Sequence, residues 1–412
     1  MMTLTFFVCG LLLQAFTPEA IEHAQAGAAA RQAGQTRVAI QEFRKLTELQ
    51  PKSAVAHADL GDAYFQNGEY GAAVPELELA LQLNTDQILA HQTLGVILLM
   101  QGNAEGALPH FEKTRTPELM GLAYLETGRL DGAITILRGA VEKQPDDPNL
   151  LYYYGRALAL ASKRTLDQVA GINPELARQR SGVPDNAKQN QTEDVVDLQN
   201  ALAKRPKDAD VLLAFNRAAA LASTKAFDRI LQTNPNSARA HQVLAERFFN
   251  SGRLPEAERE YGESLGLKPN TSKVHAALGD VLAAEGKRPE AVAQYRMETQ
   301  LQPLSADAFY RLGAALLQQG EASNAIEELG TADRLKPNTP YILLALGGAA
   351  FNSRNDPLAE ASWTKLLAID KQSNLAAKAH SGLSMLYRRT GRPQDADREK
   401  AAYEQLNSQG GH

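Results

Sequence analysis

Six histidines recur on a beat. His23, His57 and His91 lie 34 residues apart, His275 lies 34 after His241, and His380 holds the matching place in a later unit. Such a row could be metal ligands, proton carriers or a repeated packing contact. A metal site needs three or four convergent ligands, often two on one helix turn. None of the six has a His, Asp or Glu three or four residues later; upstream, only Glu19 stands four before His23. On a helix, the residues three and seven later share the histidine's face. For His57 these are Leu60 and Tyr64, and for His241 they are Leu244 and Phe248. The residue four later is glycine or alanine in the first five cases. The row therefore reads as a packing face with a small residue beside it.

Other catalytic patterns are missing. No G-x-x-x-x-G-K-[ST], H-E-x-x-H or G-x-S-x-G occurs, and no G-x-G-x-x-G follows a strand. The acid pairs Glu327–Glu328 and Asp146–Asp147 suit solvated helix faces or turns. Cys9 is the single cysteine, so no disulfide framework, cysteine zinc site or thiol nucleophile is expected after it. The balance of 43 basic and 48 acidic residues argues neither for nucleic-acid nor for anionic-membrane binding. We expect a non-enzyme with no cofactor and no metal.

The elements that position these residues follow the same beat. Pro235, Pro269, Pro303 and Pro337 are each 34 apart. Before them run amphipathic stretches such as "AEREYGESLGL" at 257–267. Before those come turns: "NSGRLPEA", "AEGKRPEA", "QNGEYGAA". Gly34, Gly68, Gly102, Gly128, Gly252, Gly286, Gly320 and Gly391 stand where a first helix must stop, a place for left-handed backbone. Pro255 and Pro289 open the second helix, where a missing N–H costs nothing. Each unit is helix, turn, helix, turn. A two-helix unit of this length cannot bury its apolar face alone, so neighbours must stack.

These units resemble the tetratricopeptide repeat. The residues that carry the likeness are His57, Leu60, Gly61, Tyr64, Ala73, Leu77 and Ala80; His241, Leu244, Ala245, Phe248, Ala257, Tyr261 and Pro269; His275, Leu278, Gly279, Leu282, Ala291, Tyr295 and Pro303; and Phe309, Leu312, Gly313, Leu316, Ala325, Leu329, Ala332 and Pro337. The likeness covers about residues 18–405, with some twelve units starting near 20, 54, 88, 114, 148, 175, 209, 238, 272, 306, 340 and 377. It implies an all-α, right-handed superhelical solenoid of stacked antiparallel helix pairs. The units at 148 and 209 span 29 residues, lack the turn glycine and resemble each other. A short second helix is expected in each. The polar segment 178–194 reads as a surface loop in a decayed sixth unit. Residues 18–174 then form an N-terminal block, 175–206 a degenerate repeat, 207–405 a C-terminal block and 406–412 a polar tail.

The resemblance further implies a concave face for partner segments, lined by first-helix positions 2, 5, 9, 12 and 13. Carried over, these give an apolar stripe of Leu89, Val96, Leu99 and Met100 with Gln92, continued by Leu122 and Leu125. A second stripe is Tyr310, Leu317, Tyr341, Leu344 and Phe351. Tyr152, Arg156, Arg217, Gln242, Glu246 and Asp280 make a mixed polar stretch between them. Apolar patches rimmed by polar groups mark partner sites; burial of the stripes against neighbouring repeats or the N-terminal segment is the alternative. The family's Lys/Asn clamp for a chaperone carboxylate is not matched, because the ninth positions hold no asparagine.

The opening "MMTLTFFVCGLLLQAFTPEA" has an apolar run from Leu4 to Phe16. It is too short to span a bilayer, which takes ~20 residues. It suits a cleaved secretory signal ending near Ala15, although no Lys or Arg precedes the run. The alternative for 1–17 is an apolar helix packed on the first repeat. The expectation is an interaction scaffold for protein or peptide segments, with no nucleic acid and no membrane span. With a cleaved signal it is periplasmic or secreted, in envelope assembly or secretion; otherwise it is cytoplasmic. Rival readings are a self-assembling structural protein and a metal-binding protein built on the histidine row.

Overall fold

A computed structural model describes residues 17–176 and 194–409. The apolar N-terminal run (1–16), nearly all of the polar loop (177–193) and the last three residues lie outside them. The described residues hold helices and no strand. In chain order the helices are α1 (Pro18–Gln32), α2 (Thr36–Leu49), α3 (Ala54–Gln66), α4 (Tyr70–Leu83), α5 (Ile88–Met100), α6 (Ala104–Thr114), α7 (Pro117–Glu126), α8 (Leu130–Lys143) and α9 (Pro148–Ile172). From residue 194 on come α10 (Val195–Lys204), α11 (Ala209–Thr233), α12 (Ala238–Asn250), α13 (Leu254–Leu267), α14 (Val274–Ala284), α15 (Arg288–Leu301) and α16 (Ala306–Gln318). The rest are α17 (Ala322–Leu335), α18 (Pro340–Asn352), α19 (Asp356–Ile369), α20 (Asn374–Arg389) and α21 (Pro393–Gln409).

Most consecutive helices pack as hairpins: α1 on α2, α3 on α4, α7 on α8, and then in pairs from α12 to α21. The turns form as the sequence implies. All eight turn glycines have φ between 70° and 85°. At Gly68 the chain closes the helix end with Gly68 N–H on Phe65 O at 3.0 Å and Glu69 N–H on Tyr64 O at 2.9 Å, which satisfies carbonyls that would otherwise be orphaned. In the eleventh unit Arg354 holds the left-handed place at φ 64°, without glycine.

Within a hairpin, a small residue on the first helix meets a large one 16 later on the second. A Cβ on Gly61 would come within 2.7 Å of Leu77, one on Gly95 within 2.7 Å of Phe111, and one on Gly279 within 2.7 Å of Tyr295. Phe111 and Leu77 are fully buried. The tight approach keeps the packing dense and leaves no room for a methyl group.

The two 29-residue units depart from expectation. Neither has a short second helix, because neither has a turn: α9 and α11 each run unbroken for 25 residues. Without glycine or proline at the break, nothing local ends the helix, and its backbone ladder simply continues. The two then pair with each other. Ser223 Oγ donates to Gly155 O at 2.8 Å, and Asn216 Nδ2 donates to Ser162 O at 2.7 Å. Gly155 corresponds to Asn216 and Ser162 to Ser223 when the two units are aligned. The contacts are therefore reciprocal, as in an isologous interface, and the helices run antiparallel. Each long helix supplies the second half that the other unit lacks.

The chain forms two compact units. The first holds residues to Leu99, Asn103–Pro145 and Tyr153–Ser223. The second holds Met100–Gly102, Asp146–Tyr152 and Thr224 onward. The expected tail is partly helix: α21 continues to Gln409, with Leu406 packed against the core of Trp363, Leu383 and Tyr387.

Candidate partner-binding face

The histidines are fastened inside their own hairpins. His23 Nδ1 bonds Glu42 Oε2 at 2.6 Å, His57 bonds Glu76 at 2.6 Å, His241 bonds Glu260 at 2.8 Å and His380 bonds Glu399 at 2.6 Å. His275 bonds Gln294 Oε1 at 2.8 Å, and His91 bonds His110 Nδ1 at 2.8 Å. Every partner stands 19 residues later, on the facing second helix. The other ring nitrogen often reaches back across the preceding turn: His57 Nε2 donates to Pro51 O at 3.1 Å, His91 to Thr85 O at 2.9 Å and His275 to Pro269 O at 2.8 Å. Such rings have both nitrogens committed. Among the described residues no group of three or more His, Cys, Asp or Glu could hold a metal.

The carboxylates feel these clips. The hydrogen bond from His23 holds the Glu42 carboxyl below its usual range. Burial pushes Glu260 upward, but bonds from His241 and Arg259 outweigh it and leave that group lowered as well.

First helices of successive repeats are joined at a second spacing, 31 residues. Thr93 Oγ1 donates to Asp62 Oδ1 at 3.0 Å, and Arg311 bridges both oxygens of Asp280 at 2.8 and 2.7 Å. Tyr310 and Tyr341 stack edge to face with ring centroids 4.7 Å apart. Arg31, Asp59 and Thr93 in the first unit and Arg311 in the second thus belong to first-helix faces, and position-by-position carry-over named only their neighbours Asp62 and Asp280. The 31-residue spacing of opposite charge was the available signal for Arg31 with Asp62 and for Arg311 with Asp280; Asp59 lies 28 residues from Arg31 and falls outside it. Burial pushes the Asp59 carboxyl above its usual range, with Arg31 at 2.8 Å acting against it.

The expected lining residues divide three ways. In the first unit Leu89, Val96, Leu99, Leu122 and Leu125 are half-buried, while Gln92, Arg156 and Arg217 are exposed. Met100 is half-buried. In the second unit Tyr310, Leu317, Tyr341, Leu344 and Phe351 are all half-buried, with the Arg389 guanidinium 3.7 Å over the Phe351 ring. Asp280 is half-buried and committed, accepting from Tyr295 Oη at 2.8 Å as well as from Arg311.

Tyr152 and Gln242 do not line an open face. They are 1% and 6% exposed. Gln242 Nε2 donates to Tyr152 Oη at 2.6 Å, Tyr152 Oη donates to Glu246, and Arg239 lies 4.4 Å over the Tyr152 ring. The physical reason is the missing turn. The second half of α11 packs here, with Phe227 at 6.3 Å from the Tyr152 ring, and α12 closes over it. Glu246 is the half-buried edge of that network.

No helix among the described residues is long and apolar enough to cross a membrane. No curated protein matches the chain. Among solved structures, MamA 41-end from Desulfovibrio magneticus RS-1 is similar at 21% identity and TM-score 0.40, over 42% of this chain and 97% of that one. YrrB, a TPR protein with an unusual peptide-binding site, matches at 18% and 0.40, over 44% and 91%. Pseudomonas aeruginosa pilF matches at 19% and 0.38, over 52% and 99%. Family models described as "Tetratricopeptide repeat" match residues 25–88 and 276–340, and another of the same description matches 118–157. Residues 25–88, 118–157 and 276–340 are therefore tetratricopeptide repeats, and the glycine turns and stacked hairpins continue the same pattern around them.

Proposed function

We propose that the protein is a non-catalytic scaffold that holds segments of partner proteins against its first-helix faces. One observation carries this reading. Large apolar side chains on those faces stay half-buried: Leu89, Val96, Leu99, Leu122 and Leu125 in one unit, and Tyr310, Leu317, Tyr341, Leu344 and Phe351 in the other. Their small neighbours, such as Ala90, Ala123 and Ala349, are fully buried. Apolar area left in contact with water is stabilised by any partner that covers it. Exposed Gln92 and Arg217 supply polar rim groups.

The apolar run from Leu4 to Phe16 supports an exported protein, acting in envelope assembly or secretion. N-terminal mass spectrometry of the native protein tests export; an intact Met1 would remove that part. The scaffold reading is tested by placing a photo-crosslinking residue at Gln92, Leu122 or Tyr341, with exposed Leu49 and Leu267 as comparison sites. Discrete protein adducts should form from the first set and not from the second. Equal labelling from both sets would overturn it.

A further inference from the structure

The third repeat breaks the rule that the other clips obey. In five repeats the histidine faces a group that can accept from it without itself gaining a positive charge: Glu42, Glu76, Glu260, Gln294 or Glu399. In the third it faces a second imidazole, His110. Proton counting then differs. His91 Nε2 donates to Thr85 O, so with both rings neutral His91 Nδ1 can only accept, and His110 Nδ1–H supplies the proton. With one added proton, His91 Nδ1–H donates instead and His110 accepts. With two added protons both Nδ1 atoms carry hydrogen, and they face each other at a 2.8 Å separation that no longer has an acceptor. Two like charges are then also in contact.

We propose that the His91–His110 pair is an acid-released latch, closed while it carries at most one extra proton and opened by the second. The surroundings offer little to offset that second charge. Asp86 pulls on His91, but it is already paired with Lys113 at 2.8 Å and is largely exposed. The next helix, α7, presents Leu119, Met120 and Tyr124 to the core around Phe111. Burial, and then the neighbouring His91, push the His110 imidazole below its ordinary range.

The sign follows from linkage. A histidine kept neutral in the folded state binds fewer protons than the unfolded chain does. Its contribution is present above the unfolded value, about pH 6.5, and is lost progressively as the pH falls below it. The lowered carboxylates Glu42 and Glu260 behave differently. Their contribution stays until the pH falls below the usual carboxylate range, about 4.5. Between those limits the third repeat weakens while the carboxylate-faced repeats hold. What would loosen is the α5–α6 hairpin, where Gly95 rests against Phe111, on the helix that carries Leu89, Val96 and Leu99.

Hydrogen exchange of the full chain, corrected for intrinsic rates, tests the latch at about pH 7.5 and about pH 5. Protection across 88–114 should fall about tenfold or more at the lower pH, with much smaller changes across 54–83 and 238–267. His110→Glu gives the third repeat the same chemistry as the others and should abolish the selective loss. A uniform acid response in the wild-type chain would overturn the proposal by itself, whether or not the variant folds. So would a selective loss that survives in His110→Glu.

Discussion

Ser223 Oγ donates to Gly155 O at 2.8 Å across two helices that the sequence presents as separate repeats. The equivalent pair, Asn216 and Ser162, makes the mirrored contact at 2.7 Å. Two repeats have lost their turns and completed each other's missing halves. The outcome conserves hairpin-like packing although the local hairpin signal is gone.

Continuity of α9 and α11 is directly measurable. Amides at 160–164 and 221–225 sit where other repeats have an open glycine turn, yet here they are helix interior. They should exchange as slowly as their flanking turns of helix, unlike those around Gly68 or Gly286. Fast exchange confined to 160–164 or 221–225 would show that the helices break there.

The clips should contribute through charge as well as packing. Replacing Glu260 with Gln removes a carboxylate that His241 and Arg259 hold below its usual range. The folded group has the lower affinity for protons, so its contribution is complete above about pH 4.5 and disappears as the pH falls further. Stability of Glu260→Gln should therefore lie below wild type near neutral pH, by about 1–2 kcal/mol. The two curves should converge in acid. A constant gap down to about pH 3 would show that charge plays no part.

Trp363 is wedged between two glycines. A Cβ on Gly347 would lie 2.4 Å from its Nε1, and one on Gly382 would lie 2.7 Å from its Cζ2. Gly347→Val should overpack this seam and cost about 1–3 kcal/mol. The chain's single tryptophan makes its fluorescence a local reporter. Unchanged emission together with an unchanged melting temperature would mean that the seam yields easily.

The sequence by itself determined everything that depends on neighbours along the chain. The 34-residue beat, the helix pairs, the eight left-handed glycines and the inward histidines follow from turn chemistry and helical spacing, which act within a few residues. Its resemblance to the repeat family further pointed to the apolar residues from Leu89 to Leu125 and from Tyr310 to Phe351, which are half-buried on the first helices of their own repeats. Tertiary structure decided the rest. The partner of His57 lies 19 residues away on a second helix, and Asp280 meets Arg311 at 31; neither distance is a helical neighbour relation. The burial of Tyr152 and Gln242 depends on α11 replacing a hairpin arm that its own repeat lost. A missing turn says locally only that a helix continues. Which surface that longer helix then covers is set by whichever other segment leaves matching apolar area open, and only the folded chain brings the two together.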